Sequence, residues 1–492
     1  MDELVELALR AFHAARAWLA ARPVLALAVA GLVCSVVVMV AGARVGAAPS
    51  AVPYDLWLGL SPRPGYGGNH RIAAVVLVAA TAGLVALWLL TLAGLRRWER
   101  SLGSIWFLGG VWAAPFLVGP PLFSTDVFGS VSDGLLLRDG LSPYHHAATA
   151  LGARRVVEAI DPGDRSVRSA SGPMSLLLHH LVVSVGTGNV VAAVLLLRAV
   201  AAVAVVVCGI LALELAGSQR PFVLGLIVLN PAVLLYIVGA CHLDSLTVAL
   251  VLGALVLARR GRWPAAVAVA TVAAGFEQIA FVAVLALVAV HAFGSVRPSW
   301  RRFARDVLVV AVVLVLATLA VPHGTDWRLN LDRLTHDHTP FAPACLLSDV
   351  VSWIVPAASF DDLAVGGRVA ALAAAVTAIG YLLITVRRRP IERTVGYALL
   401  AGGLLAPVLY PWFLLWGVLV LAATARDAVR DCIVALSVAG CFLQSPDLPT
   451  WLTDATAAVA LVLCGAVVVV RAVVRERQAT DDPQPQPVSA GG

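Results

Sequence analysis

The 492-residue chain has no lysine, so all 35 of its basic residues are arginine. Schiff-base formation and nucleophilic catalysis by a side-chain amine are thereby excluded. Charge of either sign is scarce: 13% of residues are charged and 60% are apolar, where a soluble domain carries about 25% and 45–50%. A single water-soluble core cannot account for this composition. The seven cysteines (Cys34, Cys208, Cys241, Cys345, Cys432, Cys441 and Cys464) are scattered, with no Cys-x-x-Cys pair and no metal-ligand spacing. No His-x-x-x-His or His-Glu-x-x-His pattern occurs among the 11 histidines, and no glycine-rich phosphate loop follows a strand-like run. Neither a metal site nor a nucleotide-binding domain is expected. The net charge of +6 does not gather into a basic patch interleaved with aromatics, so nucleic acid is not an expected partner.

What the chain does have is apolar runs of membrane-spanning length. A helix needs about 20 apolar residues to cross roughly 30 Å of hydrocarbon, and the chain has room for about 12–14 full or partial crossings. Spans are expected near 24–43, 72–94, 103–122, 188–216, 221–239, 245–258, 306–322, 367–386, 430–445 and 454–473. The runs 264–293 and 393–424 are too long for one crossing. Each is broken near its middle, at Glu277 and Gln278 in one and at Pro407 and Pro411 in the other. Reading each as a pair of short helices that enters and returns keeps its arginine-flanked ends on one side, as the positive-inside rule prefers.

The expected architecture is an all-α, polytopic integral membrane protein of the plasma membrane with both termini in the cytoplasm. Residues 1–23 alternate acids and Arg10 against Leu4, Leu7 and Trp18, the spacing of an amphipathic helix lying on the membrane surface. A cleaved signal peptide is the competing reading of that end. The transmembrane domain runs over 24–473, and the Gln- and Pro-rich tail 478–492 has nothing to bury and is expected to be disordered. Two segments, 123–187 and 323–366, are too long to be mere connectors and face the outside. Apolar periodicity in the first (Val127, Val131, Leu135, then Leu151, Val156, Val157) predicts short surface helices.

Residues able to do chemistry concentrate at the outer ends of the spans. Asp126 lies just past the span 103–122, where a carboxylate can act as general base or simply cap a helix over 127–138. His242 and Asp244 follow the span 221–239 and can either point into a cleft or begin the next helix. Glu277 and Gln278 sit at a hairpin apex, where an ionisable group faces a cavity or reaches water. Arg198, inside a span, can receive a lipid phosphate or make a structural pair. His336 and His338 share a face only if their segment is extended, and a solvated loop is the simpler reading. Cys241 and Cys345 fall on the oxidising side, where a disulfide or two buried thiols can result. With active groups outside, where nucleotide sugars are absent, an energised substrate has to arrive through the membrane.

Several ordered motifs resemble one family over residues 100–420. They are Ser124-Thr125-Asp126-Val127-Phe128, the stretch from Gly134 to Tyr144, Ala159 to Pro162, Gly172-Pro173, Leu229 to Asp244, Glu277-Gln278, and Leu405 to Trp416. Together they resemble the actinobacterial polyprenol-phosphomannose-dependent α-(1→6)-mannosyltransferases, membrane glycosyltransferases of the C type. The resemblance implies a C-type glycosyltransferase fold that moves mannose from polyprenyl-phosphomannose to an α-mannoside glycolipid acceptor, inverting the anomeric centre on the outer face. It implies no cofactor beyond the lipid-linked donor, and the partners are that donor, the acceptor and the surrounding lipids. Asp126 occupies the place of the family's catalytic acid residue. By charge and position, Arg165, Arg168 and Arg198 are candidates to stabilise the departing phosphate. His242, Asp244 and Gln278 would line the sugar pocket, with Tyr410 and Trp412 offering stacking faces.

The chain departs from the family pattern at three places. Ser171-Gly172-Pro173 stands for a usual Tyr-Gly-Pro, His242-Leu243-Asp244 for His-Asn-Asp, and Glu277-Gln278 for Lys-Gln. An acid in place of a cation would repel a phosphate leaving group. A transporter or flippase of lipid-linked sugar, and a paralogue that binds the sugar without transferring it, are the competing functions.

Overall fold

The computed structural model describes residues 23–45, 57, 70–95, 101–217, 219–294, 297–322, 324–326, 342–355, 360–424 and 427–443. The expected N-terminal surface helix, the span 454–473, the tail 478–492 and the pair His336/His338 lie outside these residues. Every regular element among the described residues is helical. Four helices are long and apolar enough to cross a membrane: α1 (Pro23–Val45), most of α2 (His70–Gly94), α7 (Val190–Leu215) and most of α14 (Phe360–Ile384). Their outward faces carry Val29, Leu90, Val203, Ile210 and Ile384 in the open, the surface a lipid-facing helix presents. The protein is a multi-pass membrane protein, as its composition required.

Among the described residues, a fifth candidate span is a broken helix. Helix α8 (Arg220–Val228) and a π-helical segment (Val233–Gly239) meet at a 53° bend. Pro231 cannot supply the backbone donor a continuous helix needs. Asn230 fills the gap: its Oδ1 accepts from the Ala232 amide and its Nδ2 donates to Ser437 Oγ, so the break is locked on both sides.

The two over-long runs resolve as expected into pairs of short helices. Residues 264–293 form α10 (Trp263–Phe276) and α11 (Phe281–Phe293), interrupted at Glu277, which has an extended backbone. Residues 393–424 form α15 (Ile391–Leu404) and α16 (Phe413–Ala422), with the two prolines in the loop between them. Between these pairs lie α12 (Trp300–Leu319) and α13 (Pro343–Ile354), and α17 (Asp427–Phe442) closes the described chain.

The first long segment is a folded cap with its own core. It contains α4 (Asp126–Arg138), a 3-10 turn (Ala148–Leu151), α5 (Arg155–Ala159) and α6 (Pro173–Val185). The predicted apolar stripe, Val127, Val131, Leu135, Leu151, Val156 and Val157, is buried and packs against Val194 and Leu197 of α7. Gly134 allows this packing, because a Cβ there would stand 2.4 Å from the His179 carbonyl oxygen on α6. Gly172 does the same at the other end of the cap, where a Cβ would stand 2.2 Å from Gly275 O.

Arg198 on α7 ties the end of α3 to the end of the π-segment. It is 1% exposed, and its Nη1 donates to Gly119 O (2.6 Å) and Leu117 O (3.2 Å) at the end of α3 (Leu102–Val118). Nη2 donates to Gly239 O (3.3 Å) at the end of the π-segment, and Nε to the Cys241 thiol (3.0 Å). Carbonyls at a helix C-terminus carry the negative end of the dipole, which suits a cation. Arg198 is therefore a structural clamp closed to ligand, and its candidacy as a phosphate-binding group is corrected. Cys241 and Cys345 are both buried free thiols, so the disulfide alternative is not realised.

Replacing Arg198 by Met leaves buried carbonyls without their charged donor, at about 1–3 kcal/mol for each unsatisfied group. Thermal unfolding of detergent-purified Arg198→Met is expected at markedly lower temperature than wild type, with Arg198→Lys intermediate because one ammonium cannot span both helix ends.

Candidate active site

The segment after the π-helix (residues 241–244), the interruption at Glu277 and the loop before α16 meet beneath the cap. Together with the start of α4 and the turns and loop of 160–171 they enclose a cavity of about 330 Å³. Of the residues singled out in the sequence, Asp126, Arg168, His242, Asp244, Glu277, Gln278, Tyr410 and Trp412 line it. Arg165 does not: its guanidinium is spent on the carbonyls of Glu158 and Ile160, where it holds the loop after α5. Its candidacy is corrected in the same way as that of Arg198.

Asp126 is the first residue of α4, and Thr125 rather than Asp126 occupies the N-cap position. The amide of Asp126 is held by Ser124 Oγ at 3.1 Å. Its carboxylate, with 55% of the side chain exposed, sits in the first helical turn, where the dipole favours negative charge. The backbone on either side of the site is constrained. Phe123, before this turn, and Cys241, before His242, are non-glycine residues at φ 67° and 65°, and the Leu122 amide bonds Gly239 O at 3.2 Å. Left-handed residues of this kind cost of order 1–3 kcal/mol and persist only where surrounding packing enforces them.

His242 is the centre of the polar cluster. Its Nδ1 stands 3.9 Å from both Asp126 Oδ2 and Asp244 Oδ2, too long for a direct hydrogen bond. Burial pushes the imidazole down to about 3, so it is neutral at physiological pH. The ring stacks on Trp412 with centroids 3.7 Å apart, and Tyr410 stacks on Trp412 at 4.7 Å. Trp412 is itself buried and engaged by both neighbours, so its job is to hold His242. Tyr410, only partly buried, is the ring at the pocket wall.

Asp244 opens α9 (Asp244–Arg259) without capping it, since Leu243 is at the N-cap. Its Oδ1 accepts a hydrogen bond from Trp416 Nε1 on α16. Glu277 lies in the break between α10 and α11, outside the apolar helices. Burial, then the charges of Asp244 and Asp126, push its carboxyl up to about 8. At neutral pH it carries a proton and no charge. Gln278 fixes this break to the cap through Nε2 to Ala170 O at 3.2 Å, and Ser175 Oγ donates to Phe276 O at 3.0 Å.

Sequence reasoning missed several members of the cavity. Asp133, Ser169 and His179 line its other end, with Ser169 Oγ donating to Asp133 Oδ2 at 2.7 Å and His179 Nδ1 3.8 Å from the same oxygen. Asp133 lies two helical turns from Asp126 on the same face of α4, and that spacing was the available signal. Trp416 was inside the quoted motif and went unweighted, because its partner is 172 residues away.

A polar cavity with an open carboxylate and aromatic walls, set among the interrupted helices of a multi-pass membrane protein, suits a membrane enzyme that handles sugars. The chain belongs to the alpha-(1→6)-mannopyranosyltransferase family: residues 28–293 match the model of that family's N-terminal domain, and residues 346–475 match the MptB C-terminal domain. It is 27% identical over 370 residues to alpha-(1→6)-mannopyranosyltransferase A of Mycobacterium tuberculosis, covering 68% of each chain. It is 24% identical over 437 residues to alpha-(1→6)-mannopyranosyltransferase B of Corynebacterium glutamicum, covering 77% of this chain and 71% of that protein.

Removing the indole donor from Asp244 while keeping the aromatic volume tests the cluster. For Trp416→Phe, the buried Asp244 carboxyl loses its indole donor at about 1–3 kcal/mol, so thermal unfolding should come at a lower temperature than in wild type and transfer kinetics should show a reduced kcat/KM.

Proposed function

We propose that this protein transfers mannose from polyprenyl-phosphomannose to the 6-hydroxyl of an α-mannoside glycolipid, with inversion, on the outer face of the plasma membrane. The observation that carries this reading is the Asp126 carboxylate: open to the cavity, pre-set in the first turn of α4 and backed by buried His242 and Asp244. In the reaction, Asp126 takes the proton from the acceptor 6-hydroxyl as that oxygen attacks the anomeric carbon of the β-mannosyl phosphate. The bond from that carbon to the phosphate oxygen breaks, and polyprenyl phosphate leaves with the electron pair. One displacement converts the β donor into an α linkage. Arg168, the arginine among the described residues lining the cavity, is placed to receive the departing phosphate.

A Glu277 carboxyl pushed up to about 8 by burial supports this reading despite an acid in the position of a cation. A neutral carboxyl does not repel phosphate and can donate a hydrogen bond to it. The transport reading draws on the broken helix of α8, a feature transporters share. Here that break is bonded to α17 through Ser437 and its far end to Arg198, which favours a fixed site over a moving one.

Transfer of labelled mannose from polyprenyl-phosphomannose to a short α-mannoside by purified protein is the direct test. Asp126→Asn should lower the rate by about 10²–10⁴-fold, the usual contribution of a positioned base; robust activity in that variant would remove the assignment. A cysteine introduced at position 126 should react in intact cells with a membrane-impermeant thiol reagent above the wild-type background, and protection would place the site on the inner face. Raising pH through about 8 deprotonates Glu277 and adds a negative charge beside the leaving phosphate, so activity should fall on that limb. Glu277→Gln, which cannot ionise, should flatten the fall.

A further inference from the structure

The face that α4 turns to the cavity is longer than the chemistry at Asp126 requires. Asp126, Gly129, Ser130 and Asp133 all line the cavity, and their spacing of three, four and seven residues is that of one helical stripe. Between them, Phe128 and Val131 are buried in the cap core and stay off the cavity wall. Seven residues at about 1.5 Å rise place Asp133 some 10 Å from Asp126 along the helix, beyond the span of one pyranose ring whose 6-hydroxyl sits at Asp126.

The far end of the stripe is a built polar site. Asp133 is mostly buried and accepts the Ser169 hydroxyl at 2.7 Å. His179 is 3% exposed and lines the cavity. Its Nδ1 is 3.8 Å from Asp133 Oδ2 and has no hydrogen-bond partner. A buried ring nitrogen left unpaired forfeits a hydrogen bond that a ligand hydroxyl can supply. The Ser169 side belongs to the stretch 169–172, which Tyr144 secures by donating its hydroxyl to Ser171 O at 3.0 Å. The packing of Gly134 against the His179 carbonyl keeps Asp133 and His179 in register. Sugar hydroxyls, which donate and accept at once, match an acceptor-only carboxylate beside an unpaired imidazole and a serine.

We propose that Asp133, Ser169 and His179 form a second sugar subsite, which holds the next pyranose of the acceptor through its hydroxyls and makes the protein select an acceptor of two or more sugars over a single one. This inference rests on the proposed transfer reaction for the identity of the sugars, and not for the existence of the subsite. The acceptor lies along α4, with its reacting end at Asp126 and its second ring at Asp133.

The test compares a methyl α-mannoside with the corresponding α-1,6-linked disaccharide as acceptor. Wild type should use the disaccharide with a KM at least tenfold lower. Asp133→Asn, nearly isosteric, and His179→Phe, which keeps the ring and removes its nitrogens, should each raise the disaccharide KM towards the monosaccharide value, with the donor KM changed less than twofold. A purely structural role would raise both acceptor KM values and the donor KM together, and that result overturns the proposal. So does an absence of disaccharide preference in wild type. Titration of the same two sugars, followed by tryptophan fluorescence of the purified protein, separates the two readings. If wild type transfers no mannose yet binds the disaccharide more tightly, and Asp133→Asn abolishes the difference, the transfer reading fails and the subsite stands. Equal binding in wild type and variant removes the subsite.

Discussion

Everything at the cavity depends on one buried cation. The Arg198 guanidinium joins the C-terminal carbonyls of α3 to those of the π-segment, and the chain leaving these two ends runs to Asp126 and to His242. A buried charge is expensive unless fully hydrogen-bonded, and here the chain meets that demand with the carbonyls a helix leaves unpaired at its end. Stabilisation and positioning thus come from the same contacts. A neutral residue in that place could fill the volume but could not draw two helix ends together.

The cavity is acidic in residue type and much less so in charge. Of the groups that meet around His242, the imidazole is held neutral by burial and Glu277 is held protonated by burial and its carboxylate neighbours. Asp126 is the most open carboxylate of the His242 cluster, with 55% of its side chain exposed against 8% for Asp244. This division, one accessible carboxylate against buried acid and imidazole partners, suits a site in which a proton is taken from one substrate while an anion departs from the other. In a chain without lysine, a protonated carboxyl is an available way to offer a hydrogen bond to phosphate where relatives are expected to use an amine.

Much of this was legible in the sequence. Long apolar runs gave the crossings, and their interruptions at Glu277 and at Pro407 and Pro411 marked where helices stop at the cavity. Asp126, His242 and Asp244 were recognisable as chemistry at the end of a span and Glu277 and Gln278 as chemistry at a hairpin apex, whereas Arg168 came from its charge and position and Tyr410 and Trp412 from the family resemblance. Arg165 and Arg198 were misread for one physical reason: their partners are backbone carbonyls, which leave no trace in residue identity. Asp133, Ser169 and His179 were hidden because three separate stretches of the cap bring them together. Trp416 looked like one more apolar residue of a hydrophobic helix until Asp244 was found under its indole.

The distance along the chain between those last two partners also governs when the site comes into being. Membrane helices are inserted from the N-terminus as they are made, and the cap with Asp126 and the loop with His242 are complete long before residue 412 exists. Until α16 enters, His242 has no ring to lie on and the Asp244 carboxylate has no indole donor. A chain caught part-way through synthesis therefore exposes a mouth of mismatched acids with no organised base. The cluster is therefore complete only once Trp412 and α16 have reached His242 and Asp244, late in the chain.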